Sequence, residues 1–219
     1  KCAVKSIKNH SDLPSIRELF EIGIVIMHKA SQPDHGSPKQ QAIWFRNGLA
    51  IALLAARSLM RRNNLATIAI GRNLVEEGGG YALHFNSDEM KGRIRRGGPV
   101  PDALTPLIDR YIATYRPRLL LGKSDEHNVL FISGMGNPVT PHNLSDEIGK
   151  ITFSVFSRRV TAHEFLTVMF QHLDDAERRA GSEQRHALHE PADVVRMETI
   201  HILVRMDAFD QGTGIDVLR

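Results

Sequence analysis

The sequence predicts an α+β fold, mainly helical with a small three-stranded antiparallel sheet. Three observations lead there. Apolar residues recur at helical spacing as far as Met60, a β-branched and turn-rich stretch interrupts them between Leu65 and Pro99, and helical spacing returns from Pro101 onward. Helices and strands in separate blocks fit α+β rather than the alternating order of a parallel sheet.

The elements follow in order. Ser11–Ala30 reads as a helix, with Pro14 in its first turn, a Ser15/Glu18 capping box, and Ile16, Leu19, Phe20, Gly23 and Ile24 on one stripe. Residues 31–39 (SQPDHGSPK) are turn-rich and read as a linker. A second helix, from about Gln40 to Met60, is apolar nearly all round and therefore belongs in a core. Leu65–Ile70 and Tyr81–Phe85 read as the two strands of a hairpin turned at residues 76–80 (EEGGG). Residues 91–98 form a second tight connection into a short strand near Pro99. Pro101–Tyr115 is helical, Val129–Ile132 is either a buried strand or a lead-in to a helix, and the chain is helical in pattern from Thr140, with breaks near Arg158, Gly181 and Pro191. No internal repeat is present. The expected organisation is a helix and linker over residues 1–39 followed by one domain over 40–219.

Composition narrows the class. The chain has 219 residues, 42% of them hydrophobic, enough to bury a core. The richest apolar stretch, Gly48–Ala56, is bounded by Arg46 and Arg57 and is half the length of a membrane span, so no membrane partner is expected. The single Cys2 excludes an intramolecular disulfide framework and a thiolate zinc site. The first residue is Lys1 and no signal-peptide pattern follows, so we expect a piece of a larger cytoplasmic protein. The net charge of +3 conceals an asymmetry: residues 1–173 carry 22 basic and 15 acidic side chains, whereas residues 174–219 carry 6 and 10. Arg57, Arg61 and Arg62 form one basic cluster and Lys91, Arg93, Arg95 and Arg96 another. Such clusters suit a polyanion, because each neutralised phosphate releases counterions, although a solvated surface also explains them.

Several motifs fail on inspection. Gly122-Lys123-Ser124 ends like a phosphate-binding loop, but Pro117 occupies the place of its first glycine. His163-Glu164 begins like a zinc-protease helix, but Thr167 stands where the second histidine is needed. Residues 78–80 and 134–136 are glycine turns. His186 and His189, with His172 and His201 nearby, lack a carboxylate at convincing spacing, so no metal is assigned. What remains is Arg61, Lys91 and His163. An arginine, a lysine and a histidine brought to one point suit a phosphodiester: the guanidinium grips two oxygens, the ammonium protonates a leaving oxygen and the imidazole relays a proton. Each also has a plain structural explanation, as a helix cap, a solvated turn residue and a residue opening a helix.

From about Leu13 to Met169 the chain resembles the catalytic domain of tyrosine recombinases, the phage integrase family. The resemblance rests on residues 46–55 (RNGLAIALLA) through 61–65 (RRNNL), on 111–117 (YIATYRP), on 129–133 (VLFIS) and on 161–165 (TAHEF), in that order. It implies that Arg61 matches the first phosphate-binding arginine, Lys91 the general acid on the turn between the second and third strands, and His163 the histidine of the H-x-x-R box. It also implies double-stranded DNA as partner, a homo-oligomer or a partner recombinase on that DNA, a bacterial, nucleoid-associated location, and no metal or nucleotide cofactor. The usual preceding DNA-clamp domain does not fit into residues 1–39.

The chain departs from the family pattern at the reacting centre. Leu166 stands where the second arginine belongs, His189 lies at the spacing of a later histidine or tryptophan but without the usual leucine-glycine before it, and Glu198 stands where the nucleophilic tyrosine belongs. All three tyrosines, Tyr81, Tyr111 and Tyr115, precede His163. Losing one preorganised donor costs about 2.7–4 kcal/mol at the transition state, and a carboxylate near the phosphate opposes its charge. The expectation is a recombinase-like DNA-binding domain that has lost its own strand cleavage. The alternatives are a non-cleaving regulatory relative and a decayed mobile-element remnant.

Overall fold

The computed structural model describes residues 13–57, 60–86, 89, 96–125, 128–161, 164–165 and 167–168. Their fold is α+β, helical for the most part, with one three-stranded antiparallel sheet.

Helix α1 spans Ile16–Ala30. Ser15 is its N-cap, and the box expected with Glu18 is present in both directions: the Ser15 hydroxyl accepts from the Glu18 N–H, and the Glu18 carboxylate accepts from the Ser15 N–H at 2.7 Å. Pro14 therefore precedes the cap instead of sitting in the first turn, because the helix begins after Ser15 rather than at Ser11. Helix α2 spans Pro38–Ala56 and opens with a second box, Ser37 with Gln40, with Pro38 in the first helical position, where a missing N–H leaves nothing unpaired. It ends four residues short of the expected Met60. Thirteen of its residues are buried, in keeping with its all-round apolar pattern.

Helices α1 and α2 cross backbone to backbone. A Cβ on Gly23 would lie 2.7 Å from the Gly48 carbonyl, and one on Gly48 would lie 2.7 Å from the Gly23 carbonyl. The core that forms around this crossing takes Leu19, Ile22, Ile26 and Met27 from α1 and Phe45, Leu49, Ile51 and Leu53 from α2. Residues 16–30 thus share one hydrophobic core with the domain expected to begin at residue 40.

The first strand lies later than the sequence suggests. Leu65 and Ala66 belong to a short helix, α3 (Arg62–Ala66), and Ile68–Ile70 is extended but meets its neighbours through isolated bridges, Ala69 with Val129 and Ile70 with Leu74. Gly71, at φ +79°, then turns the chain. Strand β1 is Leu74–Glu77, β2 is Gly80–Phe85 and β3 is Arg96–Pro99, in the order β1-β2-β3. Gly78 and Gly79, both at positive φ, make the β1–β2 turn at the place the EEGGG run predicts. Strand β2 pairs with β3 from Ala82↔Pro99 to Phe85↔Arg96, so the β2–β3 connection covers residues 86–95.

A helical stretch then runs from Asp102 to Leu120: one 3₁₀ turn, α4 (Thr105–Arg110), a π-helical turn at Tyr111–Tyr115, and α5 (Arg116–Leu120). Tyr111 and Tyr115 are buried and both stack on Phe45, which gives them the packing role available to tyrosines four apart. Burial lifts the Tyr111 phenol to about 12, with Arg46 pulling the other way. Val129–Ile132 is an extended buried segment: the Leu130 N–H bonds the Ile68 carbonyl at 2.8 Å, and the Val139 N–H bonds the Phe131 carbonyl at 3.0 Å. Helix α6, Pro141–Phe156, is capped by Thr140 and stops at Ser157, which adopts φ 53°, beside the break expected at Arg158.

Candidate nucleic-acid interface

The basic turn is built where α2 stops. Arg57 leaves helical geometry at φ −136°, and its guanidinium crosses to the sheet, where Nη2 donates to the Pro99 carbonyl of β3. Gly98 makes this approach possible. A Cβ there would lie 2.6 Å from Arg57 Nη2, and its φ of +137° belongs to glycine. Arg61 does not end the buried helix, as its sequence context suggests. It is the N-cap of α3, with extended backbone and no side-chain capping bond, and both Arg61 and Arg62 are exposed. Their exposure follows from neighbours on the other face of the turn, since Met60, Asn64 and Leu65 are buried and anchor it.

The start of the β2–β3 connection is fastened to this turn. Asn64, three residues after Arg61, donates from Nδ2 to the main-chain carbonyl of Glu89 at 2.9 Å. The Glu89 carboxylate accepts from the Asn86 N–H at 2.9 Å, from Asn73 Nδ2 at 3.2 Å and from the Arg72 guanidinium at 3.1 Å. Asn73 is 1% exposed and also joins Ala69 to His84, accepting from the Ala69 N–H at 3.1 Å and donating to the His84 carbonyl at 3.0 Å. The 57–64 stretch thus meets the start of the connection through Asn64 at Glu89 and the far end of β3 through Arg57 at Pro99. Sequence reading missed Asn64, Asn73 and Glu89. Spacing gives no sign of an asparagine whose partner lies in another element.

Lys91, Arg93 and Arg95 fall between Glu89 and β3, outside the described residues, and Arg96 is described only as the first residue of β3. His163, Leu166, His189 and Glu198 also lie outside the described residues, as do His172, His186 and His201. Beside His163, Thr161 and Glu164 are seen to cap the start of a helical turn. The Glu164 carboxylate accepts from the Thr161 N–H at 2.7 Å and from its hydroxyl at 2.9 Å, and Phe165 is fully buried. Glu164 therefore has a helix-starting role, as the T-x-x-E spacing allows. Arg159 lies across Gly149 and pairs with Asp146. That pairing, ahead of the bond from Lys150, holds the Asp146 carboxyl below its ordinary range. Lys123, in the failed phosphate-loop sequence, is engaged elsewhere, with Nζ on the Met135 carbonyl at 2.7 Å and on Asn137 Oδ1 at 3.1 Å.

A concavity of about 260 Å³ opens beside the β1–β2 turn, between Gly78–Gly80 and α4. Glu76, Glu77 and Asp109 line it, and Tyr81 donates to Asp109 Oδ1 at 2.6 Å. Burial, followed by the bond to Asp109, raises the Tyr81 phenol above its ordinary value, so it remains a neutral donor. Its acidity makes it unsuited to a polyanion. No group of three or more possible metal ligands occurs among the described residues, and no described helix is long and apolar enough to cross a membrane.

Comparison with family models, with characterised proteins and with solved structures finds no match to this chain. The functional argument therefore rests on the site itself: an exposed arginine pair whose turn is hydrogen-bonded to the root of a connection rich in lysine and arginine.

Proposed function

We propose that this chain is a tyrosine-recombinase-like domain that grips the phosphate backbone of double-stranded DNA and has lost the ability to cut it unaided. One observation carries the reading. The hydrogen bond from Asn64 to the Glu89 carbonyl draws the exposed Arg61–Arg62 turn to within two residues of Lys91 along the chain. The turn that carries one basic cluster is thereby bonded to Glu89, from which the second cluster follows in sequence, and this supports a shared phosphate ligand. The loss of cleavage is inferred from composition: no tyrosine follows Tyr115, and Leu166 offers no donor to a phosphate.

The test is duplex binding by fluorescence anisotropy across a salt series, together with incubation on nicked duplex. Affinity is expected to fall steeply with salt, and Arg61→Ala and Lys91→Ala should each make the log–log slope shallower by about 1. No covalent protein–DNA adduct is expected. Salt-independent binding, or none, overturns the DNA reading. An adduct formed by this chain alone overturns the loss of cleavage.

A further inference from the structure

Arg72 follows the Gly71 turn, and its side chain is 63% exposed. One edge of its guanidinium is fixed: Nε and Nη2 both donate to Asn73 Oδ1, at 3.3 Å and 3.2 Å. Asn73 is a firm anchor, buried and bonded to Ala69 and His84. Nη2 also lies 3.1 Å from a Glu89 carboxylate oxygen. Among the described residues no acceptor takes Nη1. Glu89 does not depend on Arg72 for its partners, because its carboxylate also accepts from the Asn86 N–H at 2.9 Å and from Asn73 Nδ2 at 3.2 Å. Solvent screens an ion pair this exposed, so the pair itself gains little. What the arrangement does achieve is a guanidinium held along one edge, with its remaining nitrogen open to a ligand.

We infer that Arg72 contacts a phosphate of the duplex beside the Arg61–Arg62 turn, through the nitrogen that its own fold leaves open. Its place is set by Glu89. Asn64 of α3 donates to the Glu89 carbonyl, and Arg72 pairs with the carboxylate of the same residue, so Glu89 alone stands between the Arg72 guanidinium and α3. Arg61 and Arg62, at the start of α3, are exposed as Arg72 is. The inference rests on the DNA reading above and goes beyond it, because Arg72 belongs to neither basic cluster of the sequence: its neighbours are Gly71 and Asn73. A guanidinium fixed before binding loses less freedom when it meets a phosphate than a loose side chain does. Two roles are open to Arg72, and they give different results. As a structural partner of Glu89 alone, its removal lowers the melting temperature and leaves the salt dependence of binding untouched. As a phosphate contact, its removal flattens that dependence equally on every duplex sequence.

The experiment measures affinity for two duplexes of unrelated sequence across a salt series, for wild type, Arg72→Ala, Arg72→Gln, Arg72→Lys and Arg61→Ala, with thermal melts as a folding control. Arg72→Gln keeps a polar side chain of similar reach, so it provides a folded neutral variant should Arg72→Ala melt out. The expected result for both neutral variants is weaker binding to both duplexes, with a log–log salt slope shallower by about 1. Arg72→Lys keeps the charge but not the fork held on Asn73, so it should bind between wild type and Arg72→Ala. A wild-type slope in the folded neutral variants, with Arg61→Ala still lowering it, overturns the Arg72 contact and leaves the DNA reading standing. Arg72→Lys binding as tightly as wild type also overturns it, since a diffuse charge would then suffice. A wild type that binds neither duplex overturns both readings.

Discussion

Arg46 carries a full charge at 1% exposure, and its guanidinium is held on every side. It donates to the Ile132 carbonyl at 2.9 Å and to Asn47 Oδ1 at 2.8 Å, and it pairs with Glu147 of α6. Replacing it with methionine fills the space but strands a half-buried carboxylate and a buried carbonyl. Arg46→Met should therefore lower unfolding free energy by about 3 kcal/mol. Glu147→Gln should cost less, because Arg46 keeps its other acceptors. Chemical denaturation of the two variants measures the difference. This role was not legible in the sequence, where Arg46 reads as the polar boundary of an apolar run. Glu147 lies 101 positions away, and no local spacing links the two. The same holds for Asn64 and Glu89, whose bond spans 25 positions. Arg61 was legible as a candidate because it lies in a local cluster of exposed charge, a property that needs no tertiary partner.

Elements whose signals are local came through well. The Ser15/Glu18 box, the all-apolar face of α2, the Gly78-Gly79 turn and the end of α6 beside Arg158 are each written within one turn of chain. The first strand was misplaced because β-branched residues at Ile68–Ile70 favour extended backbone without saying which partner they meet. Their partners are Asn128–Leu130, and the ladder itself starts only after the Gly71 turn. The α1–α2 crossing makes a sharper statement about elements. With Gly23 and Gly48 facing each other's carbonyls at 2.7 Å from a notional Cβ, neither helix can accept a methyl group without moving. Gly48→Ala gains helix propensity of up to about 1 kcal/mol yet forces the two axes apart. The net expectation is a loss of about 1–3 kcal/mol, read as a lower melting temperature. An exposed helical glycine would show the reverse sign.

For the molecule as a whole, Asp146 contributes one part of the dependence of stability on acid pH. Its pKa is depressed in the fold from an ordinary value of 3.8, chiefly by Arg159, so the folded state binds this proton less readily than the unfolded chain. The stabilisation is therefore complete above the unfolded value and is lost as pH falls through the folded one. Melting temperature measured from pH 6 down to pH 2 should drop less steeply for Asp146→Asn than for wild type, with the two curves converging at the acid end. The sheet has a further consequence at this scale. Its two outer strands, β1 and β3, are the rims on which another molecule could add a strand. On β1 the exposed Glu76 and Glu77 place like charges where a second copy would dock. On β3 Pro99 has no N–H to offer and its carbonyl is already taken by Arg57. Each rim is thus guarded by different chemistry against the edge-to-edge pairing through which folded copies fuse into fibrils.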